Sequence, residues 1–368
     1  MSVSAQLGDF GFAIQPSKVG RTGTYTGSGY KWYRMDPLTV RMDIIQGDQV
    51  LPPEVSPDIV PKGAYKDGYF GAGQADLIPR LQNSFGALLW GLMGNASSVT
   101  GKDTDGVSAT NVNTHIFSYN PSDKADQPWM SFRRLIPGKV AADRYGQTFF
   151  DAKVANARIT IPQKGKLMAR ITMVARDVDQ EENPTWVWDV DYEDTTSTPQ
   201  SDQGYLKMQG TEFPITGAVF ELDNGLTTPD QERIIGDPRP DDFTALYRPA
   251  TLRFVYKWED PSLYQQVFNG GDGLTDWDPL PKIFSTVGAN FAFDAMFETP
   301  LTISGSSPAR KYAVRIRGNS ATLAPDGPIE LASATLLQQA FTLTILKATG
   351  NAPYLQILLQ NGVTGYSA

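Results

Sequence analysis

Residues 145–176 read YGQTFFDAKVANARITIPQKGKLMARITMVAR. In the first half, Ala155, Ala157, Ile159 and Ile161 fall on one face, and Asn156, Arg158 and Thr160 fall on the other. After Pro162-Gln163-Lys164-Gly165 the pattern resumes, with Leu167, Ala169, Ile171, Met173 and Ala175 alternating with Met168, Arg170, Thr172, Val174 and Arg176. Successive side chains of a strand point to opposite faces of its sheet. A period of two therefore marks strands with one face in a core and one face presented. The Pro-to-Gly junction supplies the turn of a long β-hairpin. Its second face mixes Arg, Thr, Met and Val, which suits contact with another surface and points to assembly before chemistry.

Outward from this hairpin, most of the chain reads as short strands separated by turn clusters. The predicted strands are Leu38–Ile45, Thr114–Tyr119, Trp129–Ile136, Phe213–Asp223, Ala250–Trp258, Ala289–Glu298, Tyr312–Arg317, Phe341–Lys347 and Tyr354–Leu359. Helical signals are few. Asp76 is placed to cap a helix carrying Leu77, Leu81, Phe85, Leu88, Leu89 and Leu92 and ending near Gly94-Asn95. A shorter helix starts at Asp260-Pro261 and ends at Asn269-Gly270-Gly271. The pattern predicts a mainly β chain of one or two β-sandwich or barrel-like domains with flanking short helices. Residues 1–60 read as an N-terminal arm and extended segment, its first 30 residues irregular and rich in Gly. Residues 61–176 form a first sandwich half, 177–204 an acidic connecting loop, and 205–368 a second half. The similar content of the two halves suggests duplication, although no residue-level repeat is evident.

The 368 residues suffice for one large or two medium cores. With 32 basic against 40 acidic residues the net charge is −8, which disfavours gripping nucleic acid. It is compatible with lining a passage that nucleic acid crosses without adhering. The absence of Cys removes disulfides, thiolate nucleophiles and the usual structural zinc sites. The first residues lack the basic-then-apolar shape of a secretory signal, and no apolar run approaches membrane-spanning length. Synthesis and folding in a cytoplasm are expected.

No constellation carries chemistry. His115 is the sole histidine and stands beside Ile116 and Phe117 in a predicted strand, so a core role outweighs a general-base role. The carboxylates at Asp177, Asp179, Glu181, Glu182, Asp189, Asp191, Glu193 and Asp194 do not match the spacing of a calcium loop. The interleaved Trp186, Trp188 and Tyr192 point instead to a contact loop. Gly20–Gly29 and Gly68–Gly73 lack the Lys-Ser/Thr ending and strand-to-helix setting of a phosphate cradle. Arg315 and Arg317 share one strand face and suit ion pairing at the surface or between subunits. No catalytic residue, cofactor or metal is expected.

The order of elements is familiar: an irregular start, the Leu77–Met93 helix, Thr114–Ser118, Trp129–Arg134 and the hairpin from Phe149 to Ala175. Then follow Val219–Leu226, Ala250–Asp260 running into a short helix, and a close with Phe341–Leu346 and Tyr354–Asn361. This resembles the tail tube (major tail) proteins of long-tailed bacteriophages over most of the chain. The resemblance implies a β-sandwich with a flanking helix, stacking as rings around a channel and completing its strands between subunits. Two halves per chain would suit a trimeric, pseudo-sixfold ring; a hexamer with an added outer domain is the alternative. The implied partners are further copies of the chain, a tape-measure protein and a tail terminator, with viral DNA passing through unbound. The implied location is the virion tail, with a lean toward non-contractile tails. Candidate assembly contacts are the hairpin, through Phe149, Arg158, Arg170, Thr172 and Val174, the loop through Trp186, Trp188 and Tyr192, and the N-terminal arm. Other readings are a tail-terminator or head-decoration protein, and a β-sandwich carbohydrate-binding protein or glycosidase.

Overall fold

The computed structural model describes residues 8–50, 64–119, 127–190, 197–259, 291–327, 336–347 and 353–366, together with Leu263 and Val267. The first part of the chain forms β1 (Asp9–Ile14), β2 (Trp32–Met35), β3 (Thr39–Val50), β4 (Ala64–Leu77), helix α1 (Ser84–Met93), β5 (Ala96–Lys102), β6 (Ser108–Tyr119), β7 (Met130–Ile136), β8 (Tyr145–Ile161) and β9 (Met168–Glu182). The second part forms β10 (Gly204–Met208), β11 (Thr211–Glu212), β12 (Ile215–Asp223), β13 (Ala250–Lys257), β14 (Phe293–Thr302), β15 (Lys311–Gly318), β16 (Ala321–Pro325), β17 (Gln338–Ile345) and β18 (Leu355–Asn361). The chain is mainly β, and its described residues form two antiparallel sheets and no closed barrel. Leu263 and Val267 are helical; the rest of the predicted second helix lies outside the described residues.

The larger sheet runs β16-β17-β13-β12-β8-β7-β1-β2, and β9, β4 and β3 continue from the other edge of β8. The smaller sheet runs β11-β10-β14-β15-β18-β6-β5. Phe12, Phe132, Phe149, Phe220, Phe254 and Phe341 on the first sheet and Phe117, Phe293, Phe297 and Ile357 on the second belong to one buried cluster. Burying each such ring contributes about 1.5–3 kcal/mol. Strands from before and after residue 190 occur in both sheets and share this core, so 177–204 does not separate two cores. Its first residues, Asp177–Glu182, also belong to β9 and not to a loop.

A repeat does exist in the strand order. One wing of the larger sheet reads β3-β4-β9-β8 and then β12-β13-β17-β16. Each set of four joins an early hairpin to a later one in the same sequence, and β8 meets β12 where the sets abut.

Strand β8 makes this possible by serving two neighbours on one edge. Residues 145–152 pair with β7 and residues 156–161 pair with β12, while β9 runs along the opposite edge. Between these partnerships the strand bulges at Val154/Asn156, and Asp151 adopts φ 50°. A bulge shifts which residues face inward. Ala152 and Val154 are buried upstream and Ala157, Ile159 and Ile161 downstream, leaving Ala155 half-buried and off the face that strict alternation assigns it. Buried Gln127 and Asn224 satisfy the backbone at this break. Both donate to the Val154 carbonyl (3.0 and 2.8 Å) and to the Leu92 carbonyl at the end of α1 (3.0 Å each).

Helix α1 begins at Ser84 and not near Asp76. Asp76 and Leu77 instead close β4, paired with Arg170 and Ala169 of β9, and Pro79 disfavours helix at Ile78. Nine of its ten residues are buried, consistent with a helix apolar on all sides. It ends at Gly94, φ 83°, whose N–H caps the Trp90 carbonyl.

The N-terminal arm is not free. Its residues Asp9–Ile14 form β1 between β7 and β2, with Phe12 fully buried. Beyond β1, the segment around Val19-Gly20 is fixed by a buried ion pair. Asp151 accepts hydrogen bonds from Val19 N (2.7 Å), Gly20 N (3.1 Å) and Gln15 Nε2 (3.1 Å). Arg176, also fully buried, donates to Asp151 (3.4 Å) and to the Gly20 carbonyl (2.8 Å). Without the Asp151 charge, buried Arg176 keeps only the longer contact to Asp237 (3.6 Å), and breaking a buried pair is costly. Asp151→Asn should lower unfolding free energy by about 3–5 kcal/mol in urea titrations; a loss well under 1 kcal/mol would contradict this role.

His115 lies in the smaller sheet, fully buried, with Nδ1 2.7 Å from Ser98 Oγ and Nε2 2.9 Å from Asn361 Oδ1. Burial lowers its pKa below the ordinary value of about 6.5, only partly opposed by the Asn361 hydrogen bond. The unfolded chain therefore takes up a proton that the folded chain resists. The resulting stability is present above about pH 6.5 and is lost as pH falls from there through the folded pKa. The unfolding midpoint should fall between pH 7.5 and 5.5, and His115→Gln should flatten that slope; an unchanged slope in the variant would refute the assignment.

Candidate assembly surfaces

The two faces of the larger sheet's ends differ. At the β1-β2-β7 end, the face turned away from the core is covered by the chain itself. Residues 188–190 run beside β2, with Arg34 N donating to the Val190 carbonyl (2.8 Å) and Asp189 accepting from Trp32 N (2.7 Å). Trp188 sits on Gly11 and Trp186 on Gly146; a Cβ on these glycines would lie 2.2 and 2.6 Å from the indole rings. The Arg133 guanidinium stacks 3.7 Å from the Trp32 ring centre and 5.0 Å from that of Trp186. Such cation–π contacts strengthen when desolvated. Tyr25 stacks on Phe150 at 4.8 Å, and burial raises its hydroxyl pKa far above the ordinary value.

Along the eight-stranded wing, residues 19–20 and 237–243 cover the outward face at Arg176 and Lys153, and among the described residues the rest of that face is open. Its centre is a row in register: Thr39, Asp76, Arg170, Arg158, Glu221, Thr251, Thr344 and Thr322 from β3 to β16. Arg158 and Arg170 stand directly opposite, a repulsive arrangement unless each has its own counter-ion. Arg170 binds Asp76 (2.6 Å) and Arg158 binds Glu221 (3.3 Å). The Arg170 hydrogen bond, aided by Thr39, holds the Asp76 carboxyl below the usual carboxylate range. On the same face Arg253 binds Asp326 (2.5 Å). Arg158, Arg170 and Arg253 are thus each paired with a carboxylate, so much of the basic charge of this wall is neutralised locally.

The wing ends in two open edges. Among the described residues β3 pairs only with β4, and β16 only with β17. Inward-facing Val40 and Ile44 of β3 pack on the core but are only half-buried, and Arg134 of β7 reaches Asp43 between them (3.5 Å). Open edges are templates for pairing with another chain.

The hairpin's outward residues Arg158, Arg170, Thr172 and Val174 are thus brought together on the uncovered wall. Phe149 is 0% exposed and packs in the core, so the expectation that it makes an assembly contact is corrected: it stands opposite Phe132 and its ring lies on Gly71. Trp186 and Trp188 are half-buried against their own chain, and Tyr192 lies outside the described residues. The β3 edge was legible in the alternation of Leu38–Ile45; nothing in the sequence marked β16.

Arg315, Asp177 and His115 are engaged within the chain. Arg315 binds Asp294 (Nε, 2.7 Å) and Asp105 (2.5 Å), so its ion pairing is internal to the subunit. Asp177 accepts from Tyr69 (3.0 Å) and pairs with Arg239. His115 has the core role described above.

A family model described as phage tail tube protein matches residues 71–336, well over half of the chain. None of the curated proteins matches it. The matched span runs from β4 almost to β17 and takes in most of the uncovered wing. The chain belongs to the phage tail tube protein family, structural components of the virion tail that self-assemble into a tube.

Proposed function

We propose that this chain forms rings of three that stack into the tube of a long, non-contractile phage tail, the conduit for genome ejection into the host. The observation that carries this reading is the repeated strand order. Within one chain, β8 ends the first set of four strands and pairs antiparallel with β12, which opens the second. Strand β16 ends the second set as β8 ends the first, and β3 opens the first as β12 opens the second. Pairing β16 of one copy with β3 of the next repeats the same junction between chains, in the same antiparallel sense. Six equivalent sets then close a ring from three chains, a heterologous contact whose rotation closes.

In this arrangement the uncovered wall faces the channel. DNA would meet guanidinium groups already bound to carboxylates, so a phosphate must displace an existing partner before it can bind. Non-adhesion then rests on local pairing more than on net repulsion. During assembly the channel would hold a tape-measure protein, and a terminator would cap the last ring. The junction also predicts a separation of fold from assembly. Ile45→Lys places a charge on the open edge strand at an exposed position (46%) and should leave the thermal midpoint of the monomer nearly unchanged, as surface substitutions do. It should abolish assembly in sedimentation and negative-stain microscopy under conditions where the parent chain forms tubes. Undiminished tube formation by this variant would remove β3 from the ring contact.

A further inference from the structure

The connection between β12 and β13 is far longer than an antiparallel pair requires. Within it, Arg233 bridges to Pro240 and Asp237 N donates to the Ile234 carbonyl (3.1 Å), closing a turn with Gly236 at φ 91°. This is the geometry of a type II turn, and it sets Ile235 at the tip, 101% exposed, beside Ile234 at 41%. The turn is braced. Tyr69 N donates to the Pro238 carbonyl (2.9 Å), Arg233 binds Asp67 (2.7 Å), and Arg239 binds Asp177 and Asp237. Two adjacent isoleucines are thus held rigidly in water at the end of a supported finger.

A receptor of matching character exists elsewhere on the chain. An open groove of about 680 Å³ lies between the ends of β1, β2 and β7 and the start of β3. Leu38, 57% exposed, and Ile136, 38% exposed, line it. Arg41 on its rim has no carboxylate within ion-pairing distance among the described residues, and the finger carries Asp230, 82% exposed although it also pairs with Arg233 of the finger (3.3 Å). The finger rests on β4 at Asp67 and Tyr69, and the groove adjoins β3 where Thr39 and Arg41 pair with Asp76 and Gln74. At about 3.3 Å per residue, the two features stand roughly 20 Å apart along the same strands. A plug and a socket at opposite ends of one element cannot meet within a subunit; they define a head-to-tail contact between copies.

We propose that the Ile234-Ile235 turn of one copy seats in the Leu38/Ile136 groove of a copy in the next ring. This rests on the tube reading above, in which the open edges join chains laterally across the strands. A contact at the strand ends is then the one left to stack rings.

The chain has no Cys, so introduced thiols report without background. Tubes of Ile235→Cys/Leu38→Cys chains, or virion tails carrying the same pair if the purified chain stays monomeric, would be treated with a short bis-maleimide. The expected product on denaturing gels is a ladder of covalent multimers, with each single variant remaining monomeric. Ile235→Asp, at a fully exposed position, should keep the parent's thermal midpoint and give unstacked rings. Tubes in which the double variant stays monomeric would overturn the proposal and leave the tube reading standing. So would dimers of Ile235→Cys alone, or a link between Leu38→Cys and Ser4→Cys within one chain, which assigns the groove to the chain's own first residues. Absence of the protein from both tubes and tails would instead overturn the tube reading itself.

Discussion

The fold depends on β8 pairing with two different strands along a single edge. A straight strand of uniform pleat could join only one continuous neighbour there. The positive φ at Asp151 and the bulge at Val154/Asn156 break the strand into two partnerships. Each break exposes backbone groups that must find partners. Gln127 and Asn224 satisfy the carbonyls, and the Asp151–Arg176 pair fills the space above. Upstream of the break the sheet leads to the covered end; downstream it leads to the open wing.

That division explains the distribution of side chains. At the covered end, aromatic rings from residues 25–32 and 186–188 pack onto glycines and onto Arg133, and the adjacent β2 edge is closed by Val190. On the wing, the outward face carries Thr, Val and ion pairs that run from strand to strand, and among the described residues both edges are unpaired. One surface is finished within the chain, and the other is left open among the described residues. This asymmetry, together with membership of the tail tube family, supports the proposed ring.

Much of this was legible from periodicity. The alternation in 145–176 located β8, β9 and the presented residues Arg158, Arg170, Thr172 and Val174, because side-chain direction in a strand follows directly from parity. Phe149 was misplaced although it shares the odd parity of the buried Ala157, Ile159 and Ile161; the residue that the bulge takes off the core face is Ala155. Strand β4 was hidden by its glycines at 68, 71 and 73, which read as turns; Gly71 and Gly73 instead admit the Phe149 ring and the β3 backbone. Strand β1 was missed for a similar reason, its Gly11 making room for Trp188. The acidic run after Asp177 looked like a loop because its last residues are exposed, yet pairing with β8 keeps it extended to Glu182. The repeat of strand order had no residue-level echo, since topology constrains the pattern of burial and not residue identity.

Electron cryo-microscopy of the assembled tube, or of the virion tail, tests the central claim most directly. The account predicts three chains per ring, β16 of each hydrogen-bonded antiparallel to β3 of the next, and the Asp76–Arg170–Arg158–Glu221 row facing the channel. Six chains per ring, or β3 and β16 held apart with that row on the outer surface, would contradict it.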